Sequence, residues 1–329
     1  MPEPFQLSEE ERQLKAAETV SALARAEEAK KHAHHIDLSR HFEKYIGKPG
    51  IVDLLKAGEK PKLSYRHTSA KDRIARFATV RPNETLRIAD LACGHSPIAL
   101  FLPDDEHTRR IDYWAVDRSS DCIDGLQNLK ENGAFNHFGN FEPHLADLKV
   151  FLESGNHAPF DIMLLNNTLH ELPPSWFPEM FEAFTKRLHA SNGMLFIVDM
   201  QALQSHEPEA IAINWSDGEL RQILAAGGLR IPVVVEHSFG VRVVSAEIPV
   251  SWVVDKRAMR EKILALLCQR LKKEMEPYSG RLRKFEDSLE HKKQWLHMTG
   301  TVTRLLHEIR KMVPNFFESI QLPPPAAVG

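Results

Sequence analysis

The chain has 329 residues, of which 43% are hydrophobic and 26% are charged, and its formal net charge is −3. This length allows one sizeable core with additions or two modest domains, and the composition is that of a globular protein rather than a disordered one. Its three cysteines, Cys93, Cys122 and Cys268, are widely separated and form no CxxC pair. That spacing argues against a disulfide framework and against a zinc site, and it favours a reducing compartment.

No segment of the sequence is typical of membrane insertion or secretion. There is no run of about 18 apolar residues, so we expect no membrane span. The first residues, MPEPFQLSEEERQ, place acidic side chains ahead of any apolar segment, which matches neither a signal peptide nor a transit peptide. We therefore expect a cytoplasmic protein.

Residues 1–78 are predicted to form a helical extension. Ser8 followed by Glu11 is a capping box at the start of a stretch rich in Ala, Glu and Lys, and a second helix is expected before the break at Gly-Lys-Pro-Gly. Ser69 with Asp72 starts a further helix that leads to the first strand.

Four histidines in this extension raise the question of a metal site. No carboxylate or cysteine stands beside them at ligand spacing, so we favour solvated histidines and predict no metal. The four are His32, His34, His35 and His41.

The stretch LRIADLACGHSPIAL, residues 86–100, is predicted to form a buried strand followed by a tight turn. Its apolar run is rich in β-formers and stops at the small residues of CGHS, where Gly94 is expected to have a positive φ. Pro97 fits the first position of a short apolar helix, because the backbone N–H that proline lacks would have no partner there. Strand, turn and helix make half of a nucleotide-binding βαβ unit.

From residue 86 to residue 254, β-rich and helical stretches alternate, as a parallel sheet with helices on both faces requires. The predicted second strand, residues 111–117, ends in Asp117, which follows Gly94 by 23 positions. A carboxylate about 20 residues beyond a glycine turn lies at the end of the adjacent strand and can accept hydrogen bonds from both ribose hydroxyls of a nucleotide.

The turn also resembles a known family motif. The sequence DLACGHS, from Asp90 to Ser96, is similar to the glycine-rich first motif of the class I S-adenosylmethionine (SAM) methyltransferases, an acidic residue followed by three small residues at alternate positions. The resemblance implies that Asp90 reaches the ammonium group of SAM and that Ala92, Gly94 and Ser96 let the backbone approach its methionyl part. Two of the three family glycines are replaced here, by alanine and serine. The resemblance also makes Asp117 the second family motif, which binds the ribose.

The resemblance extends to the ends of later strands. Asp147 takes the family's third position, where an acid reaches the adenine amino group, and a surface aspartate that caps the next helix is the alternative. After the predicted fourth strand, the sequence NNTLHEL is similar to that of family members with small-molecule substrates. Asn166 and Asn167 are expected to line the ligand site there. His170 is expected to be a general base beside Glu171, or else a histidine held for structure.

The fifth predicted strand begins with glycine, as in the resembled family, and is expected to direct Asp199 and Gln201 toward the acceptor pocket. Two β-rich runs, residues 231–237 and 241–254, follow as a hairpin. The expected fold class is therefore α/β, a Rossmann-like, doubly wound and mostly parallel seven-stranded sheet that ends in an antiparallel hairpin.

Residues 255–329 are predicted to be a second helical extension, packed with the first, and residues 79–254 are predicted to be the SAM-binding domain between them. From Asp255 to Lys311 there are 15 Lys and Arg residues against 8 Asp and Glu, a surplus of +7 compared with −10 for the rest of the chain. This asymmetry is compatible with a surface for RNA, although helices rich in Lys and Glu are more often simply solvated.

Three functions fit the sequence. The first is SAM-dependent transfer of a methyl group to O or N of a small molecule, with the terminal helices as a lid over the acceptor pocket. The second is methylation of RNA held by the basic C-terminal helices. The third is a sensor or scaffold protein that binds SAM without turnover.

Overall fold

The computed structural model describes residues 65–94, 97–155, 157–200, 213–238, 241–279 and 289–314. Predictions for residues 1–64, the histidine cluster among them, lie outside these ranges. The strands are β1 (Leu86–Leu91), β2 (Ile111–Asp117), β3 (Asn140–Leu145), β4 (Ile162–Asn166), β5 (Met194–Met200), β6 (Val233–Ser238) and β7 (Val241–Pro249). The α-helices are α1 (Tyr65–Val80), α2 (Ser120–Glu131), α3 (Leu148–Glu153), α4 (Phe177–Arg187), α5 (Asp217–Ala226), α6 (Lys256–Ser279) and α7 (Leu289–Met312).

The seven strands form one sheet in the order β3-β2-β1-β4-β5-β7-β6. Strands β1 to β5 pair in parallel, whereas β7 is antiparallel to both β5 and β6. This is the Rossmann-like arrangement of the class I methyltransferases, so the predicted fold class is confirmed. The strand order reverses between β1 and β4, and ligands of open α/β sheets bind outside the carboxyl ends of the strands at such a point.

The connection from β1 to β2 differs from the prediction. The helix expected after the turn is only a single 3-10 turn, Ile98–Phe101, and Leu102 after it has an extended backbone with φ −76° and ψ 138°. Leu102 precedes Pro103, and the proline ring disfavours the α conformation in the residue before it. The chain therefore leaves the helical conformation after one turn.

The third strand contains a proline and few β-formers, but it still pairs along its whole length with β2. Strand β3 lies at the edge of the sheet. An edge strand tolerates Pro143, because one of its sides needs no backbone donors.

The core lies where β1, β4 and β5 pack under α4. The phenylalanines that the sequence spaces along α4, namely Phe177, Phe181 and Phe184, are all 0% exposed. Each such side chain contributes about 1.5–3 kcal/mol when it is fully buried. The aromatic stripe of this helix is therefore part of the core.

The C-terminal helices share this core. Helix α6 packs on α4 and α5, and α7 packs on α6 and on a 3-10 turn, Pro174–Trp176, that precedes α4. Met259 and Ile263 of α6 and Ile309 of α7 are 0% exposed and belong to the same apolar cluster as the sheet. None of the described helices combines the length and the hydropathy that crossing a membrane requires.

A buried carboxylate joins α7 to the segment that follows β4. Glu308 is 0% exposed, and its Oε2 accepts a hydrogen bond of 3.0 Å from the Ser175 hydroxyl. Its Oε1 lies 3.2 Å from Arg304 Nη1 and 3.0 Å from Lys311 Nζ. A buried acid with this many partners is expensive to disrupt, because removing it leaves Arg304 buried without its counter-charge.

We expect Glu308→Ala to lower the free energy of unfolding by about 3–5 kcal/mol, as breaking a buried ion pair does. Chemical denaturation would measure it. The matched control is Glu179→Ala, which removes a solvent-exposed pair with Arg260 and should change stability by less than about 1 kcal/mol. Equal, small losses in both variants would contradict the role of Glu308 as an anchor.

Candidate functional site

The turn after β1 has the unusual backbone that its small residues predict. Ala92 has φ +50° and Gly94 has φ +58°, so both adopt the left-handed conformation. A Cβ at Gly94 would have no neighbour within 4 Å, which leaves open space beside the turn. Ala92 carries a conformational cost of about 1–2 kcal/mol that glycine would not. Ser96 lies outside the described residues.

Asp117, at the end of β2, holds this turn in place. Its Oδ2 accepts a 2.8 Å hydrogen bond from the backbone N–H of Gly94, and its Oδ1 accepts one of 2.9 Å from the N–H of Ser119. Two of the predicted cofactor contacts, 23 positions apart in sequence, are therefore in direct contact.

Asp90 lies beneath the same turn and is 1% exposed. Its Oδ2 accepts hydrogen bonds from the N–H of Ile98 at 2.9 Å and from the hydroxyl of Tyr113 at 2.6 Å. Burial, with a smaller contribution from nearby Asp117, raises the pKa of Asp90 to about 6, although the two hydrogen bonds act to lower it. Tyr113 is a site residue that the sequence analysis did not identify.

The end of β4 meets the end of β1, since Leu165 pairs with Leu91 in the sheet. Beyond it, Asn167 has φ +57°, and its N–H donates to the carbonyl of Val198 at 2.6 Å. The Oδ1 atoms of Asn166 and Asn167 are buried and, in the described structure, have no hydrogen-bond partner.

The Oδ1 atom of Asp90 is equally buried and unpartnered. Each such acceptor costs about 1–3 kcal/mol when no donor reaches it. Strained backbone and unsatisfied acceptors therefore coincide at the ends of β1 and β4, as they do where proteins bind ligands.

His170 is fixed to β5 rather than open to solvent. The His170 side chain is 1% exposed. Both carboxylate oxygens of Asp199 bind this residue: Oδ2 accepts a 2.7 Å hydrogen bond from the backbone N–H of His170, and Oδ1 lies 2.6 Å from Nδ1 of its ring. A carboxylate can only accept, so Nδ1 carries the proton. Glu171 is exposed, with Oε1 3.9 Å from His170 Nε2.

The prediction that Asp199 faces an acceptor pocket is wrong. Asp199 is 3% exposed, and its carboxylate contacts His170. His170 follows β4, and Asp199 lies in β5, the parallel neighbour of β4, so the sheet brings the two residues together although they are 29 positions apart. Gln201 lies outside the described residues.

Asp147 is exposed at the beginning of α3, where its Oδ1 accepts a 2.9 Å hydrogen bond from the N–H of Lys149. This contact caps α3, which is the role of a surface aspartate that the sequence offers as the alternative to adenine binding. The residue before it, Ala146, donates its N–H to the carbonyl of Asp117 at 2.9 Å. Asp147 therefore follows the end of β3 and also lies near the end of β2.

A metal site has no support in the described ranges, because no group of three or more His, Cys, Asp or Glu side chains there could hold an ion.

Comparison with known proteins gives distant matches. No family model matches the sequence, and no curated protein matches it. Among solved structures, the chain resembles the carbon methyltransferase DszA, with 16% identity over 67% of this chain and 71% of that one and a TM-score of 0.45. It resembles magnesium protoporphyrin IX methyltransferase ChlM from Synechocystis with bound S-adenosylhomocysteine (SAH), with 12% identity over 64% and 99% and a TM-score of 0.41. It also resembles TrmK from M. capricolum in complex with SAH, with 13% identity over 76% and 99% and a TM-score of 0.36. At these identities and scores, the matches say nothing about the ligand or substrate of this chain.

The strain at Ala92 can be tested by removing its side chain. We expect Ala92→Gly to be neutral or to raise the free energy of unfolding by up to about 1 kcal/mol, because glycine adopts a positive φ without cost but also has more freedom to lose from the unfolded chain. The matched control is Ala75→Gly on the exposed face of α1, which should lower stability by about 1 kcal/mol. Thermal and denaturant unfolding of the two variants would give both values. A loss at Ala92 as large as that at Ala75 would contradict the strained turn.

Proposed function

We propose that this chain is a SAM-dependent methyltransferase that transfers a methyl group to an oxygen or nitrogen atom of a small molecule. The observation that carries the proposal is the set of three buried, unpartnered acceptors, on Asp90, Asn166 and Asn167, beside the open turn at Gly94. Acceptors of this kind favour a ligand that brings hydrogen-bond donors and positive charge.

The residues present fit SAM. The open turn at Ala92 and Gly94 gives its methionyl part access to the backbone, and Asp90 supplies a carboxyl group for its ammonium group. Asp117 would accept the ribose hydroxyls with the lone pairs that Gly94 and Ser119 leave available. Asp147 would accept from the adenine amino group. When bound, SAM supplies an electrophilic methyl group on a sulfonium, so alignment with the acceptor is the main task left to the protein.

Removal of a proton from the acceptor is assigned to His170, with Asp199 and Glu171 in support. The hydrogen bond to Asp199 fixes the tautomer in which Nε2 carries the lone pair, which is the arrangement of a general base. Glu171 lies near Nε2 and is exposed, so it can pass the proton to solvent. Because His170 is buried, an acceptor reaches Nε2 only if the turn that carries it shifts. Transfer by alignment alone, with His170 as a structural residue, is the alternative.

The surroundings of the C-terminal helices favour a small-molecule acceptor over RNA. Basic side chains of α6 that contribute to the charge surplus form ion pairs with acidic residues of α4 and α5, which leaves less charge for phosphates. The same helices hold the segments next to His170, since Arg270 donates to the carbonyl of Asn214 at 2.7 Å and Glu308 binds Ser175. The three pairs are Lys256 with Glu182, Arg260 with Glu179, and Arg270 with Glu219.

The proposal is tested with SAM carrying a labelled methyl group. The purified protein is incubated with a lysate separated into small-molecule, RNA and protein fractions, and label is expected in the small-molecule fraction. Label in RNA or protein would overturn the acceptor class. Binding of SAM without label in any fraction would favour the non-catalytic sensor, and absence of SAM binding would contradict the proposal altogether.

Asp117→Asn should raise the dissociation constant for SAM about 10-fold to 100-fold, since hydrogen bonds to a charged carboxylate contribute about 1.5–3 kcal/mol. Isothermal titration calorimetry would measure the constant. Asp121→Asn is the matched control, because Asp121 is an exposed acid in the first turn of α2 and should leave the constant unchanged. Equal affinity in the wild type and Asp117→Asn would remove Asp117 from the cofactor site.

His170→Gln should slow methyl transfer about a hundredfold to ten-thousandfold while SAM affinity stays constant, if His170 is the base. His189→Gln, at an exposed histidine, is the control and should behave as wild type. Unaltered turnover together with a lower melting temperature would show instead that His170 and Asp199 serve only to hold the turn after β4.

A further inference from the structure

The carboxyl group of Asp90 has two very different oxygens. Its Oδ2 is bonded by Ile98 and Tyr113, whereas its Oδ1 is buried and unpartnered in the described structure. The Ile98 contact closes the turn over Asp90 and is a backbone interaction that most sequences could make. The Tyr113 contact depends on one side chain, and together with the Ile98 contact it holds Oδ2 and so orients the carboxyl group.

Tyr113 is itself held rigidly. It is 0% exposed, its ring stacks on Phe141 with centroids 5.7 Å apart, and the edge of Phe138 lies 5.6 Å away. Its hydroxyl oxygen accepts a hydrogen bond of 3.1 Å from the N–H of Ala99, so the hydroxyl proton is directed to Asp90. Burial raises the pKa of Tyr113 well above its usual value, so the hydroxyl keeps that proton.

Among the described residues, which do not include His95 of the same turn, the titratable groups that act on Asp90 are Tyr113, Cys93 and Asp117, and none of these three is cationic. Burial raises the pKa of the Cys93 thiol as well, so the thiol stays neutral, and Asp117 repels a charge on Asp90. With a pKa of about 6, Asp90 is partly protonated just below neutral pH. Bringing a cation to this site favours the ionised carboxylate, and the proton is then released to solvent.

We propose that Tyr113 is a positioning residue of the cofactor site, which orients Asp90 so that a ligand with an ammonium group binds with release of a proton from Asp90. This inference rests on the proposed function, because it takes SAM as the ligand. It adds a second residue to the acid of the first motif and couples the occupancy of the site to pH. No residue of the acceptor side is involved.

Calorimetric titrations between about pH 5 and pH 7 test the coupling, a range in which an α-amino group stays protonated. Because the free carboxyl group titrates near pH 6, the affinities for SAM and SAH should fall about tenfold from pH 7 to pH 5. In buffers of different ionisation enthalpy, binding at pH 6 should release about half a proton per site. Methylthioadenosine, which lacks the ammonium group, is the control ligand and should bind with the same affinity across the range.

Two variants identify the groups responsible. Asp90→Asn removes the titrating group, so its SAM affinity should no longer depend on pH over this range. Tyr113→Phe removes one donor from the carboxylate, so the midpoint of the pH dependence should move upward while Asp90 still titrates. A residue with a merely structural role would lower the melting temperature without moving this midpoint.

Three outcomes would overturn the inference. They are equal SAM affinity at pH 5 and pH 7, a pH dependence that persists in Asp90→Asn, and a midpoint that Tyr113→Phe leaves in place. Failure to bind SAM at any pH would instead contradict the proposed function, so the two failures are distinguishable.

Discussion

Parallel pairing of β1 with β2 on one side and with β4 on the other is the constraint on which the rest of the structure depends. Strands that run in the same direction end at the same edge of a sheet, and reversal of the strand order there leaves a crevice. The turn at Gly94, the acid at Asp117 and the pair Asn166 and Asn167 come from distant parts of the sequence. The parallel strand pairing brings all of them to the carboxyl ends of the strands, and the hydrogen bond between Asp117 and Gly94 then fixes the turn against β2.

The carboxyl ends of these strands combine strained backbone with unsatisfied hydrogen-bond acceptors. Ala92 and Asn167 have positive φ values, and three acceptors beside them have no donor. Each of these features costs about 1–3 kcal/mol, and none adds to stability. They persist because most residues of β1 and β4 beneath them are buried, so that these strands cannot shift to relieve them. A stable sheet thus supports a site whose unsatisfied groups are available to a ligand.

The sequence was sufficient for those features that depend on neighbours in the chain. The strands, the glycine turn and the spacing to Asp117 all follow from local patterns. The early end of the 3-10 turn also had a local signal, because Pro103 follows Leu102 directly.

Features that depend on packing between distant elements could not be predicted in this way. Whether Asp199 faces a pocket or His170 is decided by the register of β5 and by the course of the chain after β4. Tyr113 reaches Asp90 because the register places Ala115 opposite Asp90 and so puts Tyr113 on the same face of the sheet. Glu308 had no sequence signal at all, since an acid among basic residues on a helix normally faces solvent.

The sharing of one core by the sheet and α7 has a consequence for how the protein is made. Ile309 packs in the same cluster as residues of β1, more than 200 positions earlier in the chain. A ribosome releases the N-terminal strands first, yet the apolar cluster that Ile309 joins is incomplete until synthesis has passed that residue. During translation, the apolar side chains that α7 covers on α6 and on the Pro174–Trp176 turn therefore stay exposed until late in synthesis.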